Sequence, residues 1–165
     1  MAEVLFVSEE KLKSYAIAGN VSSSHILAHL KDAQRIYIES TLGTDLYEKL
    51  QADILASTLT GDYKVLVDDY IQDVLVHYAT LQAIPHLAYK IENGNIYSKS
   101  SESGDALSLE QLHDLQDSIK HTAEWYKARL IDYLCNNTSS FPEYSTNTGA
   151  DLKPNKSTYT GNMNI

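Results

Sequence analysis

Two histidines, His25 and His29, stand four residues apart in the stretch His25-Ile-Leu-Ala-His29. On a helix this spacing places both imidazoles on one face, where they could share a transition metal. The zinc-protease pattern also needs a glutamate directly after the first histidine, and Ile26 stands there instead. His113 and His121 do not pair cleanly on a helix, and the two copies of Glu-x-x-His that a di-iron bundle requires do not occur. Asp68, Asp69 and Asp73 could attract a divalent cation, but a solvated helix face accounts for them more simply. Cys135 is the single cysteine, which excludes an internal disulfide and a cysteine metal cage. Its neighbours Tyr133 and Leu134 suit a buried, inert thiol near a helix end. No Gly-x-Ser-x-Gly elbow, phosphate loop or dinucleotide fingerprint is present. The expectation is therefore a protein without catalytic residues, without a cofactor and without a metal.

The elements that would position these groups are helices. Ser8 can cap a short first helix reaching about Ile17, and Gly19-Asn20 ends it. Ser22, Ser23 and Ser24 offer caps for a second helix to about Ser40, with Ile26, Leu30, Ala33 and Tyr37 on one face. Leu42 and Gly43 interrupt that stripe. The glycine suits a left-handed cap, Thr44 suits the N-cap of a third helix, and Asp45 suits its positive end. Leu46, Leu50 and Ile54 carry the third helix to about Ser57. This corner is the point around which the rest of the chain must pack.

Asp62 can cap a fourth helix from Tyr63 to about Ile91, whose wide stripe (Leu66, Tyr70, Val74, Tyr78, Leu81, flanked by Val67, Ile71 and Leu75) predicts burial over much of its circumference. Pro85 predicts a kink or break near Leu81–Ile84. Asn93-Gly94, flanked by Ile96 and Tyr97, predicts a hairpin or an irregular loop. Ser108-Leu-Glu-Gln111 matches a capping box and opens a fifth helix to about Leu134. Its stripe is Leu112, Leu115, Ile119, Ala123, Tyr126, Leu130 and Tyr133, with Trp125 off its centre.

Composition narrows the function classes. With 13 basic against 22 acidic residues and a formal net charge of −9, the chain lacks the clustered cations that tight nucleic-acid or anionic-membrane binding needs. No signal peptide is expected, and no apolar run spans a membrane. Twelve tyrosines against two phenylalanines favour extensive subunit contact, because a tyrosine packs its ring while its hydroxyl stays wet. After Asn136 the composition shifts, and Asn, Ser and Thr make up half of residues 136–165. Such a segment cannot fold alone. It reads either as a disordered tail or as an arm ordered on a neighbouring subunit, with Phe141, Pro142, Tyr144, Leu152, Tyr159, Met163 and Ile165 as its contact residues.

Two stretches carry a resemblance. Ala33-Gln-Arg-Ile-Tyr-Ile with Leu42-Gly-Thr-Asp-Leu-Tyr-Glu-Lys-Leu50, and Tyr133-Leu-Cys-Asn-Asn with Phe141-Pro-Glu-Tyr144, resemble the head–tail connector (adaptor, neck) proteins of tailed phages, including those of Bacteroides and crAss-like phages. The resemblance implies a structural virion protein, assembled in the host cytoplasm into a homo-oligomeric ring of twelve copies below the portal. Such a ring extends the DNA channel without binding DNA specifically, and docks later neck or tail proteins. It also implies that the C-terminal arm grips the portal. The expectation is thus an all-α bundle of about five helices over 1–135, with a small irregular or hairpin insertion near 92–107, and an extended arm over 136–165 ordered mainly by partners. Leu42, Gly43 and Thr44 form its helix corner. The competing expectation is a non-catalytic helical binding or regulatory module with a disordered tail.

Overall fold

The first helix starts where Ser8 can hold it. In the computed structural model of the chain, which describes residues 4–14, 23–92, 95–98, 108–146, 148 and 152–157, Lys11 N donates to Ser8 Oγ at 3.2 Å and opens α1 (Glu9–Ser14). The second helix, α2, covers residues 23–42. It is α-helical over Ser23–Ala33, widens to a π-helix over Gln34–Glu39, and closes as α-helix over Ser40–Leu42. A π-turn adds one residue per turn and rotates the residues beyond it about the helix axis. Ile38 thereby reaches the fully buried central position, while Tyr37 moves to the edge and stacks on Tyr78 at 3.8 Å. A simple 3.6-residue stripe places Tyr37 at the centre, and this rotation is why it is not there.

Helix α3 (Thr44–Leu55) leaves the corner with Leu46, Tyr47 and Leu50 buried. Helix α4 covers residues 61–88: α-helix Gly61–Leu66, π-helix Val67–Ile71 and α-helix Gln72–Ala88. It begins after Thr60, so Asp62 lies in its first turn and is not its cap. Pro85 does not break it, and the helix runs through Ala88 with Ala83 and Ile84 buried beside the proline. Packing on these neighbours offsets the one backbone bond a proline removes. As its wide stripe predicts, α4 is the central helix. Leu66, Val67, Ile71, Val74, Leu75, Val76, Tyr78 and Ala79 are all buried, and it packs against both α2 and α5.

A hairpin comes next. Strands β1 (Tyr89–Glu92) and β2 (Asn95–Ser98) pair antiparallel with Glu92 opposite Asn95, so the connection is the two-residue Asn93-Gly94 step. Those two residues, and the remainder of the expected insertion at 99–107, lie outside the described residues. Helix α5 (Leu109–Asn136) opens with the expected capping box: Gln111 N donates to Ser108 Oγ at 3.2 Å and Ser108 N donates to Gln111 Oε1 at 3.0 Å. Leu112, Ile119, Ala123, Leu130, Ile131 and Leu134 face inward, whereas Leu115, expected in the same stripe, is exposed. Over the described residues the fold is an all-α bundle of five helices carrying a short hairpin.

The boundary expected at 135/136 moves. Turns at 137–140 lead into a 3₁₀ turn, Pro142–Tyr144, and Phe141 and Tyr144 are wholly buried in the same core as the helices. Phe141 meets the rings of Tyr63 and Tyr133 at 5.3 and 5.9 Å, and Tyr63 donates to Glu143 Oε2 at 2.7 Å. Two large aromatic side chains bury enough apolar surface to order a short polar segment. Residues 137–146 therefore belong to the helical body, and Phe141 and Tyr144 anchor this chain's own core.

Candidate functional site

The corner between α2 and α3 is built on one backbone conformation. Gly43 has φ +77° and ψ 160°, a region open to glycine alone. The positive φ agrees with the expected glycine cap, but the ψ is extended and not that of a left-handed helical residue. Gly43 N donates to Glu39 O at 2.8 Å and Tyr47 N donates to Gly43 O at 3.1 Å, so the glycine closes one helix and starts the next. Thr44 is the first residue of α3 and does not cap it with its side chain. Its N–H donates to Leu152 O at 3.1 Å, and its Oγ1 accepts from Leu152 N at 3.2 Å. Asn155 N donates to Ser40 O at 3.0 Å. Pro154 fills the space a side chain at 43 would need: a Cβ there would lie 2.6 Å from Pro154 Cδ.

Asp45 ties down the approach to this clasp. Its Oδ2 accepts from Thr146 Oγ1 at 2.8 Å and from both the N and the Oγ1 of Thr148 at 3.1 Å. The Thr148 N–H, then the Thr146 hydroxyl, hold its carboxyl below the ordinary aspartate range. Lys156 sits 4.7 Å from the centroid of the Tyr144 ring, linking the clasp back to the core. The structure thus brings together the helix corner and the C-terminal segment, which are separate features in the sequence. Leu152 is 38 % exposed and Pro142 is exposed on its turn. Tyr159, Met163 and Ile165 lie outside the described residues.

Residues 4–6 are held differently. Gln34, wholly buried, accepts from Phe6 N at 2.8 Å through Oε1 and donates at 2.9 Å to both Val4 O and Tyr47 Oη. Gln51 exchanges two bonds with the Val4 backbone at 2.7 and 2.6 Å, and Gln72 donates to Phe6 O at 2.9 Å. Three glutamines therefore replace a β-partner for residues 4–6. Sequence reasoning missed them. The available signal was Gln34 itself, an amide directly beside Ala33 in a core stripe.

Among the candidate chemical groups, His29 and the α4 aspartates are engaged by neighbours, whereas His113 and His121 are exposed. His29 stacks on His86 at 4.6 Å, and the side chain of His25 lies outside the described residues. Asp68 pairs with Lys64 in the preceding turn and accepts from Gln72 Nε2 at 3.3 Å. The carbonyls of Asp68 and Asp69 accept from Lys11 and Arg129. Among the described residues no three His, Cys, Asp or Glu side chains are grouped to hold a metal, and no helix is long and apolar enough to cross a membrane. Cys135 is exposed, against the expectation of burial: helix α5 turns Leu134 inward, which directs its neighbour out.

The tyrosines whose side chains are described pack in or against the chain's own core. Tyr70 stacks on Tyr133 at 4.0 Å under the Arg129 guanidinium, and Tyr78 donates to Glu124 Oε1 at 2.6 Å. Burial, then the Glu124 carboxylate, push the Tyr78 hydroxyl well above its usual range. Burial and Glu143 push Tyr63 up to about 12. Trp125 is 59 % exposed and meets Tyr126 edge-on at 5.0 Å.

No curated protein and no solved structure matches the chain. One family model does, over residues 38–153, from the π-turn of α2 through the corner and the core to Lys153 in the clasp. The match covers well over half of the sequence, and the chain belongs to the Family of unknown function (DUF6712).

Proposed function

We propose that this protein is a structural head–tail connector of a tailed phage, a subunit of a homo-oligomeric ring that docks to the portal on one side and to neck or tail proteins on the other. The observation that carries this reading is the pairing of a rigid corner at Gly43 with an extended C-terminal segment seated on it by main-chain bonds. A fixed angle between two helices gives a subunit the wedge shape that ring closure requires. An extended segment beyond the last helix supplies contacts that repeat around the ring and gain avidity. The acidic balance, 22 acidic against 13 basic residues, suits a lumen that DNA traverses without sticking. The resemblance of the corner and of the Phe141-Pro-Glu-Tyr144 stretch to phage adaptors points the same way.

Electron microscopy of the purified full-length protein, with mass analysis of phage particles that encode it, tests the reading. Rings in solution or on portal assemblies, and the protein in particles, are the expected result. A chain that stays monomeric with and without portal, and is missing from particles, overturns it.

A further inference from the structure

In an unbroken helix the N–H of Thr44 would bond to the carbonyl of Ser40, four residues back. The corner at Gly43 parts that pair and leaves one donor and one acceptor at adjoining helix ends. Leu152 O and Asn155 N occupy those two places, at 3.1 and 3.0 Å, and Thr44 Oγ1 takes the Leu152 N–H at 3.2 Å. Pro154 lies between them against the Cβ-less face of Gly43. The corner therefore reads an extended backbone of fixed spacing with a proline at one position, which is the chemistry of a peptide-recognition site.

We propose that the Gly43 corner is a peptide-binding site whose ligand in the assembled protein is the Leu152–Asn155 segment of a second copy of this chain, exchanged for the copy's own. Every bond that seats the segment is available in identical form from another copy, so exchange replaces like with like and is governed by effective concentration. The seat is open to such exchange. Leu152, Lys153, Asn155, Lys156 and Ser157 are exposed, and only Pro154 is half-buried. Charge favours it too: residues 152–157 carry Lys153 and Lys156 and no acid, on a chain of formal net charge −9. The basic segment of one copy is attracted to the acidic body of another, while the bodies repel. Asp45, holding Thr146 and Thr148, marks the point from which the segment departs to its own corner or to a neighbour's.

The test uses full-length chains in which Cys135→Ser removes the native thiol. One carries Ser40→Cys and the other Asn155→Cys, and the two are mixed and oxidised. Exchange predicts a disulfide-linked heterodimer roughly tenfold more abundant than from a control pair of Ser40→Cys with the exposed Ser139→Cys, rising with protein concentration. A single chain bearing both Ser40→Cys and Asn155→Cys must close within itself at high dilution. Closure there, with no heterodimer above the control at any concentration, overturns exchange. Absence of closure overturns the seating on which exchange rests. No portal enters the experiment, so its outcome is separate from that of the connector reading.

Discussion

Residues 4–6 and residues 152–155 are both non-helical segments held against the same bundle, and they are held by opposite means. Residues 4–6 are fixed by side chains: Gln34, Gln51 and Gln72 reach out to main-chain groups in a buried or half-buried setting. Residues 152–155 are fixed mostly by main chain: two backbone bonds and one to Thr44 Oγ1 run from this exposed segment to the corner of α2 and α3, and the one shape requirement is the missing Cβ of Gly43. A buried amide cannot exchange its partners without leaving donors and acceptors unpaired in a dry interior. An exposed main-chain clasp can, because water satisfies the groups while the segment is away. The N-terminal segment is therefore part of the fold, and the C-terminal one is a ligand of it.

Gln34→Ala should break this contrast at its strong end. It strips Phe6 N of its buried acceptor and removes the Gln34 bonds to Val4 O, which keeps its bond from Gln51, and to Tyr47 Oη. We expect a loss of roughly 3 kcal/mol in urea unfolding, since a buried donor stripped of its partner costs about 1–3 kcal/mol and each further hydrogen bond lost costs about 1 kcal/mol. A loss under about 1 kcal/mol would mean that the N-terminal segment is as replaceable as the C-terminal one.

Gly43→Ala tests the other end. The φ of +77° with ψ 160° is costly for alanine, and the new Cβ would meet Pro154 at under 3 Å, so the segment must lift. The expected loss is about 1–3 kcal/mol from backbone strain, with faster amide exchange at Thr44 and Asn155 than at Phe6. Unchanged exchange at Asn155 would show that Pro154 is not the reason the corner is a glycine.

How much of this contrast could be read from sequence depends on whether a signal is local. Helix existence was legible, because capping residues such as Ser108 and Gln111 and the stripes of α4 and α5 are near-neighbour patterns. The corner was legible too, because Gly43 interrupts a stripe. The rotation at Gln34–Glu39 was not, since a π-turn leaves the same residues in the same order and changes only their phase. Phe141 and Tyr144 sit in a polar stretch and read as partner contacts, yet their burial depends on Tyr63 and Tyr133, far away in the chain or across a turn. The clasp joins residues more than 100 positions apart, mostly through main-chain atoms, which no pattern of side chains records.

Tyr144 marks where the chain passes from body to clasp. Its hydroxyl is buried and has no hydrogen-bond partner among the described residues, and burial, with Cys135 nearby, raises its pKa. Tyr144→Phe removes a polar group without removing the ring that Lys156 covers. The variant should be as stable as the parent or up to about 1 kcal/mol more stable in thermal or urea unfolding. A clear loss would assign the hydroxyl a bond to the Cys135 thiol, and Cys135→Ala should then reproduce it.

The smallest effect expected is at Asp45, and its pH dependence is set by its charge. The three bonds from Thr146 and Thr148 favour the ionised carboxylate, so its folded pKa lies below the unfolded one. A depressed acid contributes stability that is complete above the unfolded value. That contribution fades as pH falls towards the folded one. The tether at 146–148 should therefore be unchanged from neutral pH down to the ordinary aspartate range and loosen only in stronger acid. Asp45→Asn removes the charge at every pH while keeping one acceptor, so Thr148 amide exchange in the variant should be faster at neutral pH and lose its acid dependence. Global unfolding should barely move, because the site is open to water and a single exposed carboxylate is well screened. If the variant instead unfolds much earlier than the parent, Asp45 holds the body together, and the C-terminal segment is as integral to the fold as the N-terminal one.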